Sequence, residues 1–188
     1  MKNLIINNNF YDDKFKNRYR IKSARAAWHD YNKGVYFITI CTKDRECFFG
    51  KIFNKKMILS EIGEYTEEQV KTIPEHHPKT VIPQWVIMPN HIHMIVEIND
   101  SDNVVRKESL NCQNQDMQKI SNKQGVLSTA MCGFKQSIKN FAISKNIRFD
   151  WQTRFHDHII RNEIALEHIS EYIENNVLRW SEDCFYIL

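Results

Sequence analysis

The chain has 188 residues, 42% of them hydrophobic, with a formal charge of +3, enough for one domain with its own core, read here as a single unit over 1–188. No run is long enough to cross a bilayer and the apolar stretch at the start is too short for a secretion signal, so a cytoplasmic location with no membrane partner is expected. The five cysteines, Cys41, Cys47, Cys112, Cys132 and Cys184, are scattered, and none forms a CxxC pair, which disfavours a disulfide framework or a thiolate zinc centre.

The charge is unevenly spread. KFKNRYRIKSAR (14–25) carries Arg18, Arg20, Lys22 and Arg25 with no acid among them, and Phe15 and Tyr19 are interleaved. A basic arm over 1–30 of this kind suits nucleic-acid phosphates and stacked bases; the alternative is a solvated segment. GVYFITICT (34–42) is β-branched and aromatic and reads as a central strand. CFFGKIFNKKMILS (47–60) reads as a hairpin turning near Asn54 and Lys55.

Ser60 is placed as an N-cap, with Glu61 and Glu64 at the positive end of a helix that carries Ile62, Tyr65, Val70 and Ile73 and ends at Pro74. TVIPQWVIM and HIHMIVEI are two strands hinged at Pro89-Asn90. Positions 99–125 are polar and read as a flexible insertion. Leu127, Met131, Phe134, Ile138 and Phe141 then form a helical stripe, with Lys135 and Lys139 facing outward. WQTRFHDHIIR (151–161) is expected to be a strand that sets Arg154, His156 and His158 on one face and continues to Arg161. Asn162 caps a last helix that buries Leu166, Ile169 and Ile173.

Without the second arm of the hairpin and the last helix, this order is βαββαβ, an α+β ferredoxin-like sandwich. Two helices cover one face of such a sheet, and the other face is expected to be open. His91 and His93 alternate with Ile92, so both point to one face, about 7 Å apart along the strand, within reach of one divalent metal. A pair of ordinary polar residues at a strand edge is the alternative. No cysteine is placed to complete a zinc site, and His76 and His77 fall in a loop. An oxygen donor therefore fits better, as for Mg²⁺ or Mn²⁺ acting on a phosphate. The last helix offers an amide in Asn176 and a phenol in Tyr172, four residues apart on one face with His168 a turn earlier.

MPNHIHMIV, WQTRFHDHIIRN and EYIENN, in that order, resemble the REP-associated tyrosine transposases, and more broadly the single-tyrosine HUH transposases of bacterial insertion sequences. The resemblance implies a metal-dependent DNA endonuclease and strand transferase. Its partner would be single-stranded DNA, hairpin or palindromic. Tyr172 would be the nucleophile, forming a 5′-phosphotyrosine, and His91, His93 and Asn176 would be the ligands of Mg²⁺ or Mn²⁺. Arg18, Arg20, Lys22, Arg25, Arg154, His158 and Arg161 are the candidate DNA contacts, His156 is expected to be merely exposed, and the resemblance leaves both a homodimer and a monomer open. No glycine-rich phosphate loop is present, consistent with a reaction that needs no nucleotide. The rival from another class is a non-catalytic single-strand binding module of RRM-like fold, which would use Tyr36 and Phe37 on the central strand.

Overall fold

The computed structural model describes residues 29–99 and 125–186. The basic arm with Arg18, Arg20, Lys22 and Arg25, and the insertion apart from its two end residues, lie outside these.

The first strand, β1 (Gly34–Cys41), is followed by a hairpin of β2 (Gly50–Phe53) and β3 (Lys56–Leu59). Asn54 and Lys55 both take positive φ at its tip (50° and 60°), as a two-residue turn between twisted strands requires. Helix α1 (Glu61–His76) starts where predicted, with the Ser60 hydroxyl accepting from the Gly63 amide. Gly63 is there because its turn presses on the hairpin: a Cβ would lie 2.2 Å from the Phe49 carbonyl oxygen. Pro74 does not end α1. It sits in the last turn, where its missing N–H costs one backbone bond and the helix has only two more residues to run.

Strands β4 (Thr80–Ile87) and β5 (His91–Ile98) follow, then α2 (Val126–Ser144), β6 (His156–Ile160) and α3 (Glu163–Asn175), capped by Asn162 through the Ala165 amide. The main sheet is antiparallel in the order β4-β5-β1-β6, the ferredoxin-like arrangement expected from the sequence. Pro83 falls where the β4–β5 register shifts, on an edge strand, where a residue without an N–H is tolerated.

The predicted strand over 151–161 is shorter than expected. Trp151 makes only an isolated bridge to Thr42, and strand pairing begins at His156. The Trp151 indole N–H donates to the Lys135 carbonyl of α2, and its ring packs on Phe49, Phe134 and Phe149. The segment before β6 therefore belongs to the helix layer, and Arg154 is not on a strand face.

One sheet face carries Tyr36, Ile38, Ile40, Ile92, Met94 and Val96 against Ile62, Val70 and Ile73 of α1 and Leu127, Met131 and Ile138 of α2. The opposite face is not open. Phe37, Val86, Ile95 and Ile160 lie under Leu166, Ile169 and Ile173 of α3, which makes a second, smaller core. The chain after α3, including a short 3₁₀ turn at Trp180–Glu182, closes over the end of that face. Among the described residues, no helix is long and apolar enough to cross a membrane. Cys41, Cys47, Cys132 and Cys184 are free thiols.

Candidate metal and nucleophile site

His91 and His93 open β5, opposite Cys41 and Thr39 of β1, and their rings stand 4.5 Å apart between centroids. Both are buried, and each is held by its Nδ1. The Asn90 amide nitrogen donates to the carbonyls of Arg45 (3.0 Å) and Phe185 (2.8 Å), so its oxygen faces His91 Nδ1 at 2.9 Å. An acceptor there requires the proton on Nδ1 and leaves the Nε2 lone pair bare. His93 Nδ1 meets the Thr39 hydroxyl at 2.9 Å, and Phe37 stacks on its ring.

Helix α3 brings Tyr172 over this pair. Its hydroxyl lies 3.3 Å from His93 Nε2, and its side chain is part-exposed. Asn176 is the C-cap of α3 and is buried. Its nitrogen donates to Asp183 Oδ2 at 3.1 Å. The same carboxylate oxygen accepts from Tyr172 at 3.3 Å and stands 4.0 Å from His91 Nε2. Asp183 Oδ1 accepts from the Phe185 amide, which fixes the carboxylate.

Sequence reasoning missed Asp183. It belongs to no periodic element, and it reaches the histidines only because the chain reverses after α3. The one available signal was an acid between two aromatics, Trp180 and Phe185, that both end against His91.

The atoms at the centre of the site are all electron-pair donors. One atom each from His91, His93 and Asp183 lie within 4.8 Å of one another. Among the described residues, His91 Nε2 and Asn176 Oδ1 are two of the three buried side-chain polar atoms without a hydrogen-bond partner. Burial pushes the pKa of His91 down to about 2, helped by His93 and Arg45, and that of His93 to about 4 against the pull of Asp183. The imidazoles are therefore neutral, and the His91–Asp183 approach is not an ion pair. A bare imidazole nitrogen on His91 and an orphaned amide oxygen on Asn176, both buried beside the Asp183 carboxylate, are a costly arrangement by themselves. It is the donor set that a divalent cation takes. Burial, and then the Asp183 charge, push the Tyr172 phenol up to about 12, so without a cation it is harder to ionise than a free tyrosine.

No family model matches the chain. A Haemophilus influenzae protein, itself uncharacterized, is 34% identical over 168 residues, covering 88% of this chain and 93% of its own. The chain belongs to the family of that protein. Among solved structures, a REP-associated tyrosine transposase bound to a REP hairpin matches with a TM-score of 0.55 at 18% identity, covering 85% of this chain and 74% of the other. At that identity the likeness is one of fold, and it is the fold described above.

The remaining candidates are more scattered. Arg154, His156, His158 and Arg161 are all exposed. His158 pairs with Phe37, which puts it on the histidine face of the sheet but at the β6 edge, one strand beyond the site. His76 and His77 end α1, and His168 is exposed on α3; none of them joins the metal cluster. Tyr36 is wholly buried in the helix-layer core and Phe37 is stacked under His93, so neither ring is free to stack a base as an RRM-like module would need.

Proposed function

We propose that the protein is a transposase of the single-tyrosine HUH kind, an endonuclease and strand transferase acting on single-stranded DNA near hairpins. Tyr172 is the nucleophile in this reading. Its phenolic oxygen forms a bond to the scissile phosphorus, and the bond from phosphorus to the 3′ oxygen breaks. The products are a 5′-phosphotyrosine and a 3′-hydroxyl that takes up a proton, and the reverse step rejoins strands without ATP. His91, His93 and Asn176 hold Mg²⁺ or Mn²⁺, with Asp183 beside them. A bound divalent cation supplies Lewis-acid polarisation of a non-bridging phosphate oxygen and makes the phenol easier to ionise. The rest is positioning by the chain itself. Burial keeps both imidazoles neutral, Asn90 and Thr39 aim them, the sheet fixes their separation, and α3 holds the phenol above them. Arg154, His158 and Arg161, together with Arg18, Arg20, Lys22 and Arg25 of the arm, are assigned to the DNA backbone.

The observation that carries this proposal is the 3.3 Å approach of the Tyr172 hydroxyl to His93 within a set of unsatisfied metal-type donors. Hairpin DNA is the substrate to try because the transposase of similar fold was solved with a REP hairpin. A hairpin oligonucleotide with single-stranded flanks, incubated with protein and Mn²⁺, is expected to give a covalent adduct that survives denaturing gels. The adduct should vanish in Tyr172→Phe and on chelation. Absence of an adduct in the wild type, or its persistence in Tyr172→Phe, overturns the assignment.

A further inference from the structure

Beside the histidines, where β1 ends, a groove of about 690 Å³ is lined by Lys43, Arg45, Lys135, Asp150, Trp151 and Gln152, among others. It is continuous with the site through Arg45. The backbone carbonyl of Arg45 receives the Asn90 amide that orients His91. Its guanidinium donates to the Cys184 carbonyl and lies 4.9 Å from the centre of the Phe185 ring. Holding Arg45 there requires unusual backbone. Asp44 and Arg45 both take positive φ (53° and 58°), although neither is glycine.

Lys43 is paired with Asp150, but the other two cations of the groove are not balanced by contact with an acid among the described residues. Arg45 has a carbonyl and an aromatic face for partners. Lys135 bonds the Gln152 carbonyl at 2.7 Å and the Thr153 carbonyl at 3.5 Å, above the Trp151 ring. Among the described residues, neither cation touches a carboxylate. Two acids, Asp44 and Asp150, also line the groove, and Asp150 already holds Lys139 at 3.2 Å and Lys43 at 3.9 Å. Cations with only dipolar partners around an open groove favour an anionic ligand, and backbone carbonyls do not neutralise them.

We infer that this groove is the track for the single-stranded DNA flanking the cleaved phosphate, with Arg45, Lys135 and Lys43 gripping successive backbone phosphates. The assignment rests on the transposase reading, because a strand whose phosphate faces Tyr172 must leave the site past Arg45 or on the opposite side. It places strand contacts at the β1 end of the sheet, next to Thr153 and so adjacent in the chain to Arg154, but away from His158 and Arg161, which line a separate pocket. The contacts are to phosphates, so the groove would grip the strand without reading its bases.

Binding without cleavage tests it. Fluorescence anisotropy is measured over a salt series, in chelator, on a hairpin oligonucleotide with single-stranded tails and on the same hairpin without tails. Lys43→Gln and Lys135→Gln remove charge from exposed or half-exposed positions and leave the metal donors in place. In the doubly substituted chain, the slope of log affinity against log salt for the tailed hairpin should fall by roughly 1.4, about 0.7 per lost phosphate contact on a single strand. Affinity for the tailed hairpin at physiological salt should drop at least several-fold, while the tailless hairpin and Mn²⁺ bind as before. An unchanged slope overturns the track, and so does an equal loss on the tailless hairpin. The two proposals fail separately. Wild-type protein that binds tails through the groove but forms no adduct removes the chemistry and leaves the groove. An adduct with tail binding unaffected in the variant does the reverse.

Discussion

The hydroxyl of Tyr172 lies 3.3 Å from Nε2 of His93, joining a part-exposed residue of α3 to a buried one at the start of β5, 79 positions earlier in the chain. Their rings meet edge to face, 5.3 Å between centroids. The phenol thus sits at the mouth of the donor cluster with one edge toward solvent. Removing its oxygen leaves the packing intact and takes away two long hydrogen bonds, to His93 and Asp183. Tyr172→Phe should therefore change stability by less than about 1 kcal/mol and abolish DNA adduct formation. Urea unfolding and a denaturing gel check the two halves. A large loss of stability would mean that the phenol is structural.

Asn90 should matter more for stability than for any direct chemistry. It is wholly buried, and its side chain satisfies the Arg45 and Phe185 carbonyls and His91 Nδ1. Asn90→Ala strands these groups and frees the His91 tautomer. A cost of about 3 kcal/mol and a 10- to 100-fold loss of Mn²⁺ affinity (order of magnitude) are expected, measured by denaturation and calorimetry. Retained affinity would show that the tautomer needs no help from Asn90.

The parts that were legible in the sequence are those set by local periodicity. Two-residue alternation alone puts His91 and His93 on one face, and four-residue spacing alone puts Tyr172 and Asn176 on one side of α3. Ser60, Asn162 and the Asn54-Lys55 turn are local devices and were equally readable. What depended on the path of the chain was not. Trp151 looked like a strand residue until its indole found the Lys135 carbonyl. The second face looked open because α3 was assigned a buried stripe without a surface to bury it on. Asp183 was invisible because nothing in its neighbours' spacing announces a reversal onto residues 90 positions away.

The donor set should be filled by a cation, with a measurable gain in stability. At about a hundredfold excess over the dissociation constant, Mn²⁺ should add about 2.7 kcal/mol, or roughly 5–10 °C in Tm for a chain of this size. His91→Ala should lose most of that gain. Asp183→Asn keeps the shape but removes the charge and turns one of the two accepting oxygens into a donor, and should weaken Mn²⁺ binding about tenfold or more through lost attraction in a buried site. An Asp183→Asn chain that binds Mn²⁺ like the wild type would reduce Asp183 to a partner of Tyr172 and Asn176.

The buried imidazoles also fix how the metal-free protein responds to acid. In the fold they titrate at about 2 and about 4, against 6.5 for an ordinary histidine. Below pH 6.5 the unfolded chain binds protons that the folded chain refuses. The contribution of the pair is therefore complete above 6.5 and falls as the pH drops, with both groups losing stability down to about 4 and His91 alone below that. At about pH 5 each costs about 2 kcal/mol, since a pH unit is worth about 1.4 kcal/mol per group. Denaturant unfolding at about pH 7.5 and pH 5 should show this loss. His93→Gln, which cannot titrate, should recover about half of it, because the two shifts act over the same window. Mn²⁺ competes with protons for the same nitrogens, so saturating metal should move the acid transition to lower pH. Equal stability at the two pH values would mean that the imidazoles open to water and protonate in the folded protein.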